Sequence, residues 1–549
     1  MKVLGIRDII GPIMIGPSSS HTAGALRIAL MCRRLLAGEP RKATFTLYGS
    51  FAHTYRGHGT DKALVAGLLG MATDDLRIRE SFDLAKKAGL EFSFVPAPNE
   101  PCEHPNTVDI EVTDETGSIT SMRGESIGGG AAVISRINGI DVRLSGEYHS
   151  IVVKQRDAKG VLAHIATCLN VFDVNIATTS LFRERKGDIA FTIMETDDEV
   201  DESIARAIAK HPDIYDVRIV KSDRATDAVP PQTTQASARP KGFGADLSPK
   251  EAADLFEKLD FPNAATMLAY CEKEGVSISE ATCRRERCML ASNGIAVDDT
   301  RNYLAKALET MRESATGPLC DPVRSMGGLI GGEAAALSAG EESGPCGTLL
   351  ARATTYAMAV LETNASMGRI VAAPTAGSSG VLPAMLLACQ DIHEFSDEQI
   401  VDALANAAGI GYLITRNATV SGAEGGCQAE VGAASAMAAS AACELFGGTP
   451  RQCFAAASNA IAGLLGLVCD PIAGLVEAPC QKRNATGVAN ALVSAQIALA
   501  GIDNLVDFDQ TVDAMYKVGR SLPFELRESA LGGLAAAPSA CAFCQGCAH

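Results

Sequence analysis

The chain has 549 residues, 47% of them hydrophobic, an ordinary globular composition with length enough for three or four domains that each bury a core. A formal net charge of −17 argues against a nucleic-acid partner, because no basic surplus exists to neutralise phosphates. No apolar run reaches the eighteen or so residues of a spanning helix. The early run "VLGIRDIIGPIMIG" is interrupted by Arg7 and Asp8, so a cytoplasmic protein with no secretion signal and no membrane partner is expected.

In chain order, "IIGPIMIGP" leads into "GPSSSHTAG" and then into the helical pattern "ALRIALMCRRLL". Ser18, Ser19, Ser20, His21 and Thr22 allow three readings. A serine nucleophile needs a base in line with it, and a histidine next in sequence seldom stands so. Hydroxyls and free N–H groups at a helix start suit an anion such as a carboxylate. A cap on that helix by Ser20 or Thr22 is compatible with the anion cradle, and both are retained. Farther on, "KATFTLYGSFA" and "TVDIEVTDETGSITSMRGESIGGG" read as strands with turns, and "TDKALVAGLLG" and "SFDLAKKAGL" as helices. Residues 1–147 are thus expected to form an α+β domain.

Residues 148–221 read as strand, helix, hairpin, helix, strand. "HSIVVKQRD" and "KGVLAHIATCLNVFDV" open the unit, a hairpin turns at "RKG", and "VDESIARAIAKH" and "IYDVRIVKS" close it. This βαββαβ order, with its "RD..G.L..I...L" run, resembles the ACT regulatory domain, which implies binding of a small ligand between copies. A ferredoxin-like unit with only a packing role is the alternative. Residues 222–246 are rich in Pro, Thr, Ala and Ser without periodicity and read as a linker.

From 247 to 535 the pattern is mostly helical. "SPKEAADLFEKL" carries a capping box at Ser248 and Glu251, and alanine-rich runs suit close helix packing. Glycine-rich breaks interrupt them at "SMGGLIGGE", "APTAGSSGVLP" and "SGAEGGCQAEVG". Glycine lets backbone approach a ligand closely, so a site is expected at these breaks.

Seventeen cysteines without a secretion signal point to metal or catalysis rather than disulfides. Cys32, Cys168, Cys389, Cys443 and Cys453 fit small buried filler. "CRRERC" and Cys320 have spacings that suit no common closed metal site. Cys427, Cys469 and Cys480 stand instead beside Gly, Pro and charged residues. Three thiolates can hold three irons of a four-iron cluster and leave the fourth open as a Lewis acid.

Together, "GPSSSHTAG", "GHGTDKA", "HPNT", "GRIVAAPTAGSSGVLPA", "SGAEGGCQAEVG", "CDPIAGLVEAPCQKRNA" and "GGLA" resemble the iron-sulfur-dependent L-serine dehydratases (L-serine ammonia-lyases). The order resembles the two-chain form of that family, with its β, ACT and α parts fused through 222–246. The resemblance implies conversion of L-serine to pyruvate and ammonia, with a [4Fe-4S] cluster on Cys427, Cys469 and Cys480. The open iron would act on the substrate hydroxyl and carboxylate. A base must remove the Cα proton, and histidine suits neutral pH. His58 is the expected base, His21 an orienting or binding residue, and His104 with Asn106 part of a polar wall. Ser18, Ser19, Ser20, Thr22 and Thr60 are expected to bind substrate from the first half. Thr375, Ser378, Arg483 and Asn484 are expected to do so from the second, where Ser379 shares the loop and contact with cluster sulfurs is the alternative for the last two residues.

"APTAGSSGVLP" also looks like a phosphate-gripping loop. Pyridoxal phosphate would need a Schiff-base lysine, and Lys482 alone stands in a distinctive motif, so no pyridoxal phosphate is expected. In relatives a terminal cysteine can reach the open iron. Counting from "GGLA", Cys541 takes that place, but residues 536–549 continue with Cys544 and Cys547. Which thiol caps the iron stays open, as does a separate metal site or an incidental tail. The expected fold is therefore multidomain: an α+β domain, an ACT domain and a mostly helical iron-sulfur domain. A homo-oligomer, dimer or tetramer, is expected. The alternatives are a related cluster-dependent lyase acting on cysteine or a longer hydroxy amino acid, and a serine-sensing iron-sulfur protein that does not turn over.

Overall fold

A computed structural model describes residues 3–146, 148–183, 185–196, 198–221, 243, 247–293, 299–341 and 344–543. The linker expected at 222–246 lies outside them apart from Phe243, as do Cys544 and Cys547. The chain divides into two units, Ser20–Pro230 and Met1–Ser19 with Pro231–His549. The division falls inside the serine-histidine motif, just beyond a short buried strand, β1 (Ile13–Ile15). The sheets gather in the N-terminal part and the C-terminal part is helical. Among the described residues no helix is long and apolar enough to cross a membrane.

The unit Ser20–Pro230 holds two sheets. The first contains β2 (Pro40–Tyr48), β3 (Glu91–Ala97), β4 (Thr107–Asp114), β5 (Ile119–Gly128), β6 (Ala131–Ile137) and β7 (Ile140–Leu144), in the order β3-β2-β4-β5-β6-β7. Only β2 and β3 run parallel. In β2, Ala43, Phe45 and Leu47 are buried while Thr44 and Thr46 between them are half-buried, the two-residue period of a strand with one face on a core. The helix Ala25–Leu35 buries Leu26, Ile28, Ala29, Met31, Cys32 and Leu35, a three-and-four spacing that makes one apolar stripe.

"KATFTLYGSFA" does not stay extended to its end. The strand stops at Tyr48, and Gly49 opens the helix Gly49–Thr54. Gly49 sits at φ +52, and a Cβ there would stand 2.6 Å from the carbonyl oxygen of Pro105. Only glycine turns the chain that tightly.

The second sheet contains β8 (His149–Arg156), β9 (Ile176–Arg183), β10 (Ile189–Thr196) and β11 (Ile214–Val220), ordered β11-β8-β10-β9 and antiparallel throughout. The helices Val161–Val171 and Glu202–Ile208 join its strands. Ile165, Leu169, Ile204 and Ile208 close a core on Ile151, Val153 and Met194.

The other unit is built around the helix Ala433–Leu445, whose residues from Ala433 to Cys443 are all buried. Small side chains all round let the helices Asp397–Asn417, Pro450–Gly463 and Cys480–Leu499 pack on it. The sequence groups residues 1–147 as one domain, but the structure assigns Met1–Ser19 to this helical unit. The reason is pairing: β1 runs antiparallel to β12 (Arg369–Val371), Ile13 opposite Val371. Tyr303 donates its hydroxyl to Ile10 O at 2.7 Å, and Asn364 donates to Pro17 O at 3.1 Å. Ile9, Ile10, Met14 and Ile15 are buried to 1% exposure or less. Each such side chain contributes about 1.5–3 kcal/mol, which makes this strap part of the helical core.

Candidate active site

In the helical unit, three glycine- or proline-marked loops carry the flagged cysteines. Cys427 follows Gly426, whose φ is +75, and leads into the wide turn Gln428–Gly432. Cys469 is held on both sides of its peptide, donating to Leu526 O at 2.9 Å and accepting from Glu528 N at 2.8 Å. Cys480 is the first residue of the helix Cys480–Leu499, where the positive end of the helix favours a thiolate. Asn484 donates to Cys480 O and to Gly377 O, both at 2.9 Å, and accepts from Gly380 N at 3.0 Å. It thus ties the third cysteine loop to "APTAGSSG".

The three thiols share one locus. Burial pushes Cys427 up to about 12, and the Glu430 carboxylate beside it acts in the same direction. Cys469 is raised by burial first, then by Glu430, Glu528, Cys427 and Cys480. Cys480 is raised by burial, then by Cys427 and Glu430. The three sulfurs do not close to within 4.8 Å of one another, as the ligands of a single ion would. Three thiols at one locus are a donor set of the kind that holds a cluster with one thiolate per iron.

Around them, Arg483 pairs with Asp470 at 2.7 Å and donates to Val468 O at 2.8 Å. Asp470 accepts from Leu534 N at 2.6 Å, which docks the "GGLA" turn at this locus. The helix Pro538–Cys541 follows that turn, and Cys541 is exposed. Thr375 donates to Glu430 Oε1 at 2.9 Å and lies 3.0 Å from Ser378 Oγ. Ser19, carried in by the strap, accepts from Ala376 N at 2.8 Å. Ser18 beside it is buried.

The histidines gather in the other unit. His58 ends the turn after the helix Gly49–Thr54 and precedes left-handed Gly59, which opens the helix Thr60–Leu68. Its imidazole is fully buried, and neither ring nitrogen has a protein partner. Burial lowers it to about 4. His21 lies edge-on to it with ring centroids 4.5 Å apart. Ser20 Oγ is 3.0 Å from His21 Nδ1, and Ser50 Oγ is 2.9 Å from its Nε2. His21 is held well below its ordinary range by burial, then by His58 and His104. Thr22 donates its hydroxyl to His58 O at 2.7 Å. Asn106 donates its backbone N–H to His104 Nδ1 at 3.2 Å. The hydroxyl of Thr60 and Oδ1 of Asn106 are buried without a protein partner. Neutral imidazoles beside unsatisfied polar atoms can accept a proton from a bound molecule and hydrogen-bond to it.

The serine dehydratase beta chain family model matches residues 8–91, and the alpha chain model matches 270–535. The L-serine dehydratase of Streptomyces coelicolor is 30% identical over 536 residues, covering 95% of this chain and 96% of that protein. The chain belongs to the serine dehydratase family. Within this serine dehydratase the two family matches fall on separate stretches. The alpha chain of the L-serine dehydratase of Peptoniphilus asaccharolyticus is 45% identical over 274 residues, 50% of this chain and 93% of its own length. A probable beta chain from Bacillus subtilis is 42% identical over 217 residues, 40% of this chain and 98% of its own.

Sequence inspection overlooks three acidic residues of the cysteine locus. Glu430 and Asp470 sit in the same glycine- and proline-marked motifs as Cys427 and Cys469, so their context was a usable signal. Glu528, which burial and then Glu430 raise to about 8, has no such context.

Proposed function

We propose that this chain converts L-serine to pyruvate and ammonia, with a [4Fe-4S] cluster on Cys427, Cys469 and Cys480. The observation that carries the reading is the meeting of these three thiols at one locus in a chain of the serine dehydratase family. A cluster held there supplies a Lewis acid for the β-hydroxyl, a poor leaving group otherwise. His58 takes the Cα proton on a ring nitrogen, for which its neutral, unpartnered imidazole is suited. His21, fixed by Ser20 and Ser50, orients the base, and His104 with Asn106 and Thr60 supplies polar contacts. Ser18 and Ser19 bind the substrate carboxylate without a covalent bond. Loss of the proton and the hydroxyl leaves aminoacrylate, which becomes an imine and adds water to give pyruvate and ammonia. Thr22, Arg483 and Asn484 are proposed as further substrate contacts, each also bonded to a protein group.

Residues 148–221 are proposed to be an ACT-type regulatory unit in a dimer or tetramer, and Cys541 the thiol that caps the open iron at rest. The test is anaerobic purification with iron and sulfide counting and a pyruvate assay on L-serine. Brown protein with about four irons per chain that makes pyruvate, and loses iron when any one of the three cysteines becomes serine, is expected. Full activity from colourless, iron-free protein overturns the cofactor. Serine binding without pyruvate release makes the protein a sensor.

A further inference from the structure

Of the three glycine-rich breaks in the helical half, "SMGGLIGGE" alone enters neither the site nor the reading above. Its backbone closes instead on a side chain of the protein itself. Gly327 N donates to Glu477 Oε1 at 2.6 Å and Leu329 N to Oε2 at 2.9 Å, while Ser325 Oγ donates to Oε2 at 2.6 Å. Glu477 is 2% exposed, so water does not compete for these bonds. Ser325 N closes the loop on Ile330 O at 3.1 Å. The approach needs glycine: a Cβ at Gly327 would stand 2.3 Å from Leu475 Cδ1 and 2.9 Å from Glu477 Oε1.

Glu477 stands three residues before Cys480, at the corner that leads into the helix Cys480–Leu499. Gln481, on the other side of the cysteine, donates its backbone N–H to Glu477 O at 2.9 Å and its Nε2 to Glu362 Oε1 at 3.1 Å. Glu362 Oε1 also accepts from Ala334 N at 2.9 Å. The stretch 325–334 is therefore tied to the chain on both sides of the third cysteine, directly by Glu477 and by way of Glu362 from Gln481.

We propose that Glu477 is a positioning residue for the cluster: it locks the loop Ser325–Ile330 against the corner that carries Cys480, so that this thiol stands in place before iron arrives. The inference rests on the cluster reading above and deepens it. A ligand already in place has less freedom to lose on binding, and side chains that fix a metal ligand from outside govern metal affinity by about 10–100-fold. A glutamine of the same shape offers one acceptor oxygen where Glu477 offers two, so a donor of the loop would face its NH2 group.

The test uses full-length wild type, Glu477→Gln, Gly327→Ala and the double variant, all prepared anaerobically. Two rates are measured: iron release from the holoprotein to a ferrous chelator, and alkylation of Cys480 in the iron-free chain, mapped by mass spectrometry. Glu444→Gln is the control, since Glu444 also accepts from backbone, Ile278 N and Ser279 N, but at the far end of the helix Ala433–Leu445. Glu477→Gln and Gly327→Ala are each expected to release iron about 10–100-fold faster and to label faster at Cys480. Together they should exceed the larger single effect by no more than about twofold, because both open the same contact. Glu444→Gln should lower the denaturant midpoint and leave both rates within about twofold of wild type. Iron release within about twofold of wild type in Glu477→Gln, equal acceleration in Glu444→Gln, or effects that multiply in the double variant would each overturn the proposal. If Glu477→Gln does not fold, Gly327→Ala carries the same comparison alone. If wild type as isolated holds no iron, the cluster reading fails and Cys480 alkylation decides the positioning by itself: an unchanged rate in Glu477→Gln overturns it, and a faster one sustains it.

Discussion

His58 shows how burial sets chemistry at a single residue. Its imidazole is shifted down to about 4 by desolvation, so it is neutral throughout the physiological range. His58→Ala is expected to lower kcat by about 10²–10⁴-fold, the usual worth of a positioned base, with iron and sulfide content unchanged. Pyruvate assays beside iron counting check this. If His58 sets the acid limb of kcat/KM, that limb falls near pH 4 rather than near 6.5, as a pH–rate profile would show. Ser19→Ala is expected to raise KM more than it lowers kcat, since Ser19 meets Ala376 N and no base; steady-state kinetics decide it. Cys427, Cys469 and Cys480 were legible because a thiol beside glycine, proline and charge is poor core filler. Glu430 shares the glycine-marked motif of Cys427 but stands out less, because a glutamate three residues after a cysteine also fits an exposed helix face.

At the scale of elements, the strap 3–19 was the least legible part. "IIGPIMIGP" announces burial but not its partner, and Ser19 meets Ala376 across 357 residues of sequence. The hairpins at 107–128 and 176–196 were legible because their turns and alternation are local. The strap is fitted without slack: a Cβ at Gly16 would stand 1.9 Å from Asn364 Oδ1. Gly16→Ala is therefore expected to cost about 1–3 kcal/mol as an overpacked contact and to expose the first twenty or so residues to proteolysis. Denaturant titration and limited digestion measure both.

The strap also carries a pH dependence. Glu286 accepts from Ile6 N at 3.1 Å, and burial raises its carboxyl from 4.5 to about 7. Between those values the folded chain keeps a proton that the unfolded chain has released. Stability therefore falls as pH rises through that window, by at most about 3 kcal/mol, and levels off above about 7. Glu286→Gln, neutral at every pH, should gain on wild type between pH 5 and pH 8 in denaturant midpoint.

The whole molecule joins in one chain what its relatives from Peptoniphilus asaccharolyticus and Bacillus subtilis carry as separately named alpha and beta chains. Because the strap belongs to the helical unit, residues 1–221 and 247–549 expressed as two polypeptides should co-purify. Removing 3–19 from the first should abolish that and leave the second poorly soluble. The four fully buried apolar side chains of the strap alone approach the 5–15 kcal/mol margin of a typical domain. Pull-down of one tagged fragment with the other, with and without the strap, reads the outcome. The strap also imposes an order on biosynthesis. Ser19 leaves the ribosome 357 residues before Ala376, a wait of roughly 20–70 s at 5–20 residues per second. In that interval the sheets of 20–230 have time to fold, while the apolar strand Ile13–Ile15 waits unpaired for its mate. A chaperone that shields this N-terminal strand during translation, or a slower codon schedule that lengthens the wait, would thus govern how much of the helical unit is ever completed.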